Sequence, residues 1–305
     1  MNKPSTGKGI IFAVFAYLIW GILPLYWKAL SDVNSLHILG FRIIFSLLLV
    51  ASILFARKNT TWFRFFKDKR KRILLTLAGL TITVNWGLYI WAVNSGHTID
   101  TSLGYYINPL FSIVLGLCFF REKLKLLQII AFGLACTGVL ILTILTGRLP
   151  WVSLGLAFSF AIYGLLKKTI SISGLESLGV ETLVASPVGL ILFLIPFEKS
   201  SGFPDIAGLS YVLKLPFTAL LLILLCGVVT TLPLFLFSEG AKILPLSTLG
   251  FIQFLSPTLS FLTGFFIFGE YFPPQNFVAF GFIWTAVIMY IISLRVGHEK
   301  KHPVY

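Results

Sequence analysis

YYINPLFSIVLGLCFFREK (105–123) returns 148 residues later, without a gap, as QFLSPTLSFLTGFFIFGEY (253–271). Pro109 falls on Pro257, Ser112 on Ser260, Gly116 on Gly264, Phe120 on Phe268 and Glu122 on Glu270; Ala131-Phe132-Gly133 then falls on Ala279-Phe280-Gly281. Over 105–142, ten of 38 positions are identical, little more than two apolar stretches share by chance. The phase carries more weight, because a proline and a glutamate bracket the same span in both copies. A weaker echo, Ile19-Trp20-Gly21 against Ile162-Tyr163-Gly164, precedes it. Two related halves of membrane-length apolar segments are the pattern of a duplicated transporter.

Outward from that repeat, composition sets the solvent. The 305 residues are 57% hydrophobic and 11% charged, with a mean hydropathy of +0.94. Soluble chains carry about 25% charged residues. A chain this apolar needs lipid around it, and in lipid only helices or closed barrels satisfy the backbone. Apolar runs at 9–29, 35–55, 73–93, 102–120, 126–146, 151–168, 178–197, 215–238, 246–268 and 275–294 predict ten transmembrane helices. The expected fold is therefore an all-α integral membrane protein. Five spans per half is an odd number, so the second half enters the membrane from the opposite side. The prediction is two inverted five-helix repeats, 1–147 and 148–305.

The net charge of +13 orients the chain. With the N-terminus in the cytoplasm, the inner segments hold 19 of the 24 Lys and Arg. The outer segments hold Lys28, Arg148, Lys199 and Lys214, and Arg42 lies within a span. This bias places both termini in the cytoplasm. With no soluble basic domain, nucleic acid is not an expected partner. The basic stretch RKNTTWFRFFKDKRKR (57–72) reads as a short interfacial helix anchored by Trp62, Phe63, Phe65 and Phe66, with regulatory lipid binding as the alternative. Cys118, Cys136 and Cys226 read as small buried residues, an odd number without a disulfide framework. The first span resembles a signal peptide but lacks a cleavage site and belongs to the repeat, so it reads as a retained helix.

Polar groups inside the spans mark the candidate site. Tyr105, Asn108 and Ser112 share one helical face, and Gln253, Ser256, Ser260 and Thr263 make the equivalent stripe. Either stripe lines a wet cavity or bonds neighbouring helices. Asn85 and Tyr89 share a face of span 3. Trp20 and its echo Tyr163 sit well inside their spans, where a pocket role competes with an interfacial one. Arg42, about 10 Å below the outer end of span 2, either snorkels to the headgroups or faces the bundle as an anion-recognising or gating charge. Glu181 and Glu239 are acidic candidates for a proton or for the partner of such a gate. Pro109 and Pro257 predict matched kinks, static or hinging. The candidate substrate-binding set is Trp20, Arg42, Asn85, Tyr89, Tyr105, Asn108, Tyr163, Gln253 and Ser256.

Two motif matches are discounted. HEKKH (298–302) fits a zinc pattern at the extreme C-terminus with no third ligand to follow, and Asn59-Thr60-Thr61 is a sequon on the predicted cytoplasmic side. No nucleotide-binding loop is present. No metal, cofactor or catalytic residue is expected.

IWGILPLYWK (19–28), NWGLYIWAVNSGH (85–97), SLGYYINPLFSIVLG (102–116), LAFSFAIYGLLKK (156–168) and STLGFIQFLSPTLSF (247–261) together resemble the RarD-like branch of the EamA family, in the drug/metabolite transporter superfamily. The likeness runs from about residue 8 to residue 295. It implies a multi-pass permease of the bacterial inner membrane with ten helices, a cavity formed mainly by helices 1, 3, 4, 6, 8 and 9, and alternating access. Relatives export amino acids and other small metabolites. The leading expectation is a secondary-active exporter of small organic metabolites or drug-like compounds. A flippase for a lipid-linked polar group, a membrane-embedded enzyme and a structural scaffold are the alternatives. Expected partners are a small-molecule substrate and membrane lipids, with the chain a monomer or homodimer.

Overall fold

The computed structural model describes residues 6–31, 33–94, 98–147, 151–170, 172–194, 215–269 and 274–299. Glu270, Arg148, Lys199, Lys214, His97 and His302, most of the 198–216 connector and most of the 147–150 boundary lie outside them. Among the described residues every regular element is helical.

The helices are α1 (Thr6–Lys28), α2 (Ser35–Ala56), α3 (Lys69–Asn94), α4 (Thr98–Phe120), α5 (Leu126–Thr146), α6 (Trp151–Thr169), α7 (Gly174–Leu194), α8 (Phe217–Ile243), α9 (Leu246–Gln253), α10 (Leu255–Leu262) and α11 (Asn276–Glu299). One π-helical turn, Thr263–Ile267, prolongs α10. Together with α9 it makes one membrane-length stretch, Leu246–Ile267, so ten such stretches are counted. Seven are long and apolar enough to cross a membrane, and α4 adds a shorter apolar helix, Gly104–Phe120. The others, α3 and α6, begin with Lys69-Arg70-Lys71-Arg72 and end with Lys167-Lys168, which lowers their hydropathy without shortening them.

Local chemistry sets several boundaries. Asn34 caps α2, its Oδ1 accepting from Leu36 N at 2.9 Å. Gly147 closes α5 at φ +74°, a left-handed conformation that costs glycine nothing. The break between α9 and α10 falls at Phe254, three residues before Pro257, which has no N–H for the carbonyl of Gln253. Pro109 lies inside α4, which stays continuous from Thr98 to Phe120.

Tertiary packing pairs α2 with α7, α5 with α11 and α4 with α9. Helix α8 packs on α1 and α2, α6 packs on α3 and α4, and α10 packs on α1. Small residues allow the tightest crossings, as expected where lipid supplies no hydrophobic drive between helices. A Cβ on Gly250 would stand 2.7 Å from Pro109 O, and one on Gly227 would stand 2.6 Å from Phe45 O. The outer faces carry bare apolar side chains such as Phe15, Leu48, Val84, Ile144 and Leu224, a surface suited to acyl chains.

One end of the bundle is laced by polar contacts. Asn59 Nδ2 donates to Glu176 at 2.7 Å, and Gly174 N donates to Glu239 at 2.7 Å. Glu122 accepts from Leu246 N at 2.7 Å, Ser247 N at 2.9 Å and Ser247 Oγ at 2.6 Å. Lys168 Nζ bonds Leu244 O and stands 3.9 Å from Glu122. Four segments separated in sequence thus meet at one end.

At this end a short 3₁₀ helix, Thr61–Phe66, occupies the basic stretch. Trp62 corrects the interfacial reading: it is 2% exposed and packs under Leu54 and Gly179, while Phe63 does face outward. The cysteines need a correction too. Cys226 is buried, but Cys118 is exposed and Cys136 half-buried.

Candidate functional site

A cavity of about 130 Å³ opens where α1, α2, α3, α4, α6, α8, α9 and α10 converge. It lies towards the end of the bundle opposite the polar lacing: in α1 its lining runs from Tyr17 to Trp27, and in α4 it takes Tyr105 and Asn108 from the first half. Eight of the nine candidate residues line it: Trp20, Arg42, Asn85, Tyr89, Tyr105, Asn108, Gln253 and Ser256. The two polar stripes both contribute to it, Tyr105 and Asn108 from one and Gln253, Ser256 and Ser260 from the other, while Ser112 and Thr263 do not line it.

Arg42 lines this space. Its guanidinium packs on Trp27 and Trp86, 4.8 Å from each ring centre, and its Nε donates to Thr230 Oγ1 at 3.2 Å. Each desolvated cation–π contact is worth about 2 kcal/mol, which offsets part of the cost of a charge at this depth. No carboxylate pairs with Arg42 among the described residues.

The other polar groups divide into tied and untied. Asn85 Nδ2 donates to Leu156 O at 2.9 Å and Ser159 Oγ at 2.8 Å, joining α3 to α6. Gln253 Oε1 accepts from Tyr17 and Ser112 hydroxyls, both at a long 3.4 Å. Ser260 Oγ donates to Gly21 O at 3.2 Å. Asn108, although 3% exposed, has an Oδ1 with no hydrogen-bond partner. Tyr105 remains 42% exposed, its ring 6.0 Å from that of Tyr89.

Tyr163 stands apart. It does not line the cavity; it is fully buried, stacks on Phe237 at 5.9 Å and donates to Glu181 Oε2 at 2.9 Å. Glu181 in turn takes Lys167 Nζ at 2.6 Å. The acidic candidates are thus engaged away from Arg42, Glu181 with Lys167 and Glu239 with Lys242 and Gly174 N. An aromatic layer of Tyr17, Trp20, Phe160 and Phe237, with ring centres 5.4–6.1 Å apart, separates the cavity from the laced end.

Sequence reading missed Trp86 and Thr230, and with them Trp27 and Phe160. Thr230-Thr231 is a polar pair in the middle of an apolar span, a signal that could have found Thr230. Nothing in the pattern marks Trp86, whose role comes from where α2 crosses α3. No cluster of His, Cys, Asp and Glu suited to a metal occurs among the described residues, and the 298–302 pattern lies partly outside them.

Comparison with known proteins follows the same lines. Residues 7–144 match the model of the EamA-like transporter family. A Bacillus subtilis protein named uncharacterized transporter YojE is 40% identical over 96% of each chain. A Streptomyces exfoliatus protein named RarD is 40% identical over 98% of this chain and 93% of its own. A solved crystal structure superposes over 93% of this chain and 97% of its own with a TM-score of 0.71 at 15% identity, a likeness of fold alone.

Proposed function

The chain belongs to the RarD-like branch of the EamA-like transporter family, and we propose that it is a secondary-active permease that exports small organic metabolites through the cavity described above. It is a multi-pass membrane transporter of the bacterial inner membrane with a small-molecule substrate.

The single observation that carries the finer reading is the contribution of both polar stripes to one cavity. We read Trp20, Arg42, Asn85, Tyr89, Tyr105, Asn108, Gln253 and Ser256 as the residues that hold the substrate. The cavity is aromatic and supplied with a few placed polar groups, as small-molecule sites are. Its volume is close to the roughly 150 Å³ that accommodates benzene, which favours a soluble metabolite over a lipid.

The two halves, 1–147 and 148–305, are proposed as inverted repeats. Support comes from the packing: adding five to each membrane-length stretch exchanges the α1–α8 contact with α6–α3, and α2–α8 with α7–α3. The α2–α7 and α5–α11 contacts map onto themselves. The charge bias supports both termini in the cytoplasm, so the laced end is the inner one and the cavity faces outward. Rocking of one half against the other would then expose the cavity alternately.

The test is efflux from proteoliposomes loaded with the small-molecule extract of bacterial cytosol. Release of particular metabolites beyond protein-free liposomes is expected. Release of none, with the protein shown to be folded and inserted, would remove the permease reading; translocation of lipid-linked sugars or phosphates instead would favour a flippase.

A further inference from the structure

Taking the cavity to be the transport site, we infer that the transported molecule is a small organic monoanion, a carboxylate that also carries a hydrogen-bond donor.

The cavity wall carries an imbalance of charge. Arg42 brings a permanent positive charge to the cavity wall, and no carboxylate lies among the lining residues. Its Nε is taken by Thr230, while its terminal amino groups have no hydrogen-bond partner among the described residues. Trp27 and Trp86 pack against the guanidinium, each ring centre 4.8 Å from Cζ, and its terminal amino edge is left for a ligand. That edge is a planar fork of N–H donors, matched to the two oxygens of a carboxylate.

Charge counting narrows the class further. With one cation in the wall, one negative charge neutralises the site. A phosphate monoester carries close to two at neutral pH and would bring an uncompensated charge into a poorly solvated space. A carboxylate brings the matching single charge.

Asn108 supplies the second half. Its Oδ1 is a buried acceptor without a donor in a residue that lines the same cavity. Buried polar atoms are nearly always satisfied, and a hydroxyl or amide N–H group on the substrate would complete this one. Trp20, Phe160 and Leu234 leave apolar wall for the remainder of the molecule.

The efflux experiment also tests this. The compounds released are identified, and each is compared with its methyl ester and its carboxamide in competition for transport. The free acid is expected to compete at least about thirtyfold better than either neutral form, the scale set by leaving a buried charge unpaired. Arg42→Gln is expected to abolish the preference and Arg42→Lys to weaken it while keeping its sign. Asn108→Leu is expected to lose discrimination between a substrate bearing the donor and its analogue without it. Release of neutral or cationic compounds, of inorganic anions only, or equal competition by acid and ester would overturn the inference while leaving the permease intact. Release of nothing would count against the permease itself. The acid-to-ester comparison uses the unaltered protein, so it holds even if an Arg42 variant fails to fold.

Discussion

Lys167 and Glu181 are the pair on which the residue scale turns. Both are nearly fully buried, at 1% and 2% side-chain exposure, and 2.6 Å apart. Ser177 donates to the same carboxylate and Tyr163 to its second oxygen. Removing one partner of a buried pair leaves the other uncompensated, and Lys167→Met is expected to destabilise the protein by about 3–5 kcal/mol. Thermal unfolding in detergent checks this, and Lys167→Met with Glu181→Leu should recover much of the loss. Tyr163→Phe separates the two readings of that residue. It deletes one hydrogen bond to a charged group, about 1.5–3 kcal/mol, and by its position should leave transport affinity unchanged; an altered affinity would put Tyr163 back in the substrate path. The residue scale is where sequence reading reached least far, because a tyrosine facing a cavity and one facing a carboxylate look alike in an apolar span.

At the scale of elements, the prolines and glycines decide how helices meet. Pro257 and the break at Phe254 turn α9 into α10, bringing Gln253 and Ser256 to the cavity. Tyr106 on α4 donates to Pro257 O at 3.0 Å, so the kinked stretch is held by the helix that carries its sequence counterpart. The α4–α9 crossing is tight at Gly250. Gly250→Ala places a Cβ 2.7 Å from Pro109 O and should cost about 1–3 kcal/mol as overpacking. Gly281→Ala, with nothing within 4 Å, should be neutral or slightly stabilising through helix propensity. Equal unfolding temperatures for the two variants would show that the crossing is looser than described. The helices themselves were legible in sequence, since runs of about 20 apolar residues admit little else in lipid. Their crossings were not, because a small residue marks a possible approach without naming the partner.

For the whole molecule, the polar lacing and the aromatic layer close one end while the cavity lies towards the other. Glu122 is the clasp best placed to matter: it joins the α4–α5 turn to the first backbone N–H groups of α9, with Lys168 beside it. Loss of such a cap costs about 1 kcal/mol, enough for a roughly fivefold change between two states of similar energy. Glu122→Ala is therefore expected to favour opening at the laced end. With the native cysteines replaced and Ser256→Cys introduced, labelling by a membrane-impermeant maleimide from outside the cell should fall several-fold. Unchanged or increased labelling would mean that Glu122 supports stability without biasing the closure.

Sequence by itself determined the solvent, the helices, the family resemblance and eight of the residues that now line the cavity. Each follows from local, additive quantities: apolar length, lysine and arginine counts, and polar residues that lipid would not accept without a reason. The tertiary structure alone decided that Arg42 turns into the cavity against Trp27 and Trp86, that Tyr163 turns away to Glu181, and that Trp62 is core. Those outcomes depend on which helix crosses which, and at what height. A side chain at a given position meets a different neighbour for every such arrangement, so its role is a property of the crossing rather than of the segment that carries it.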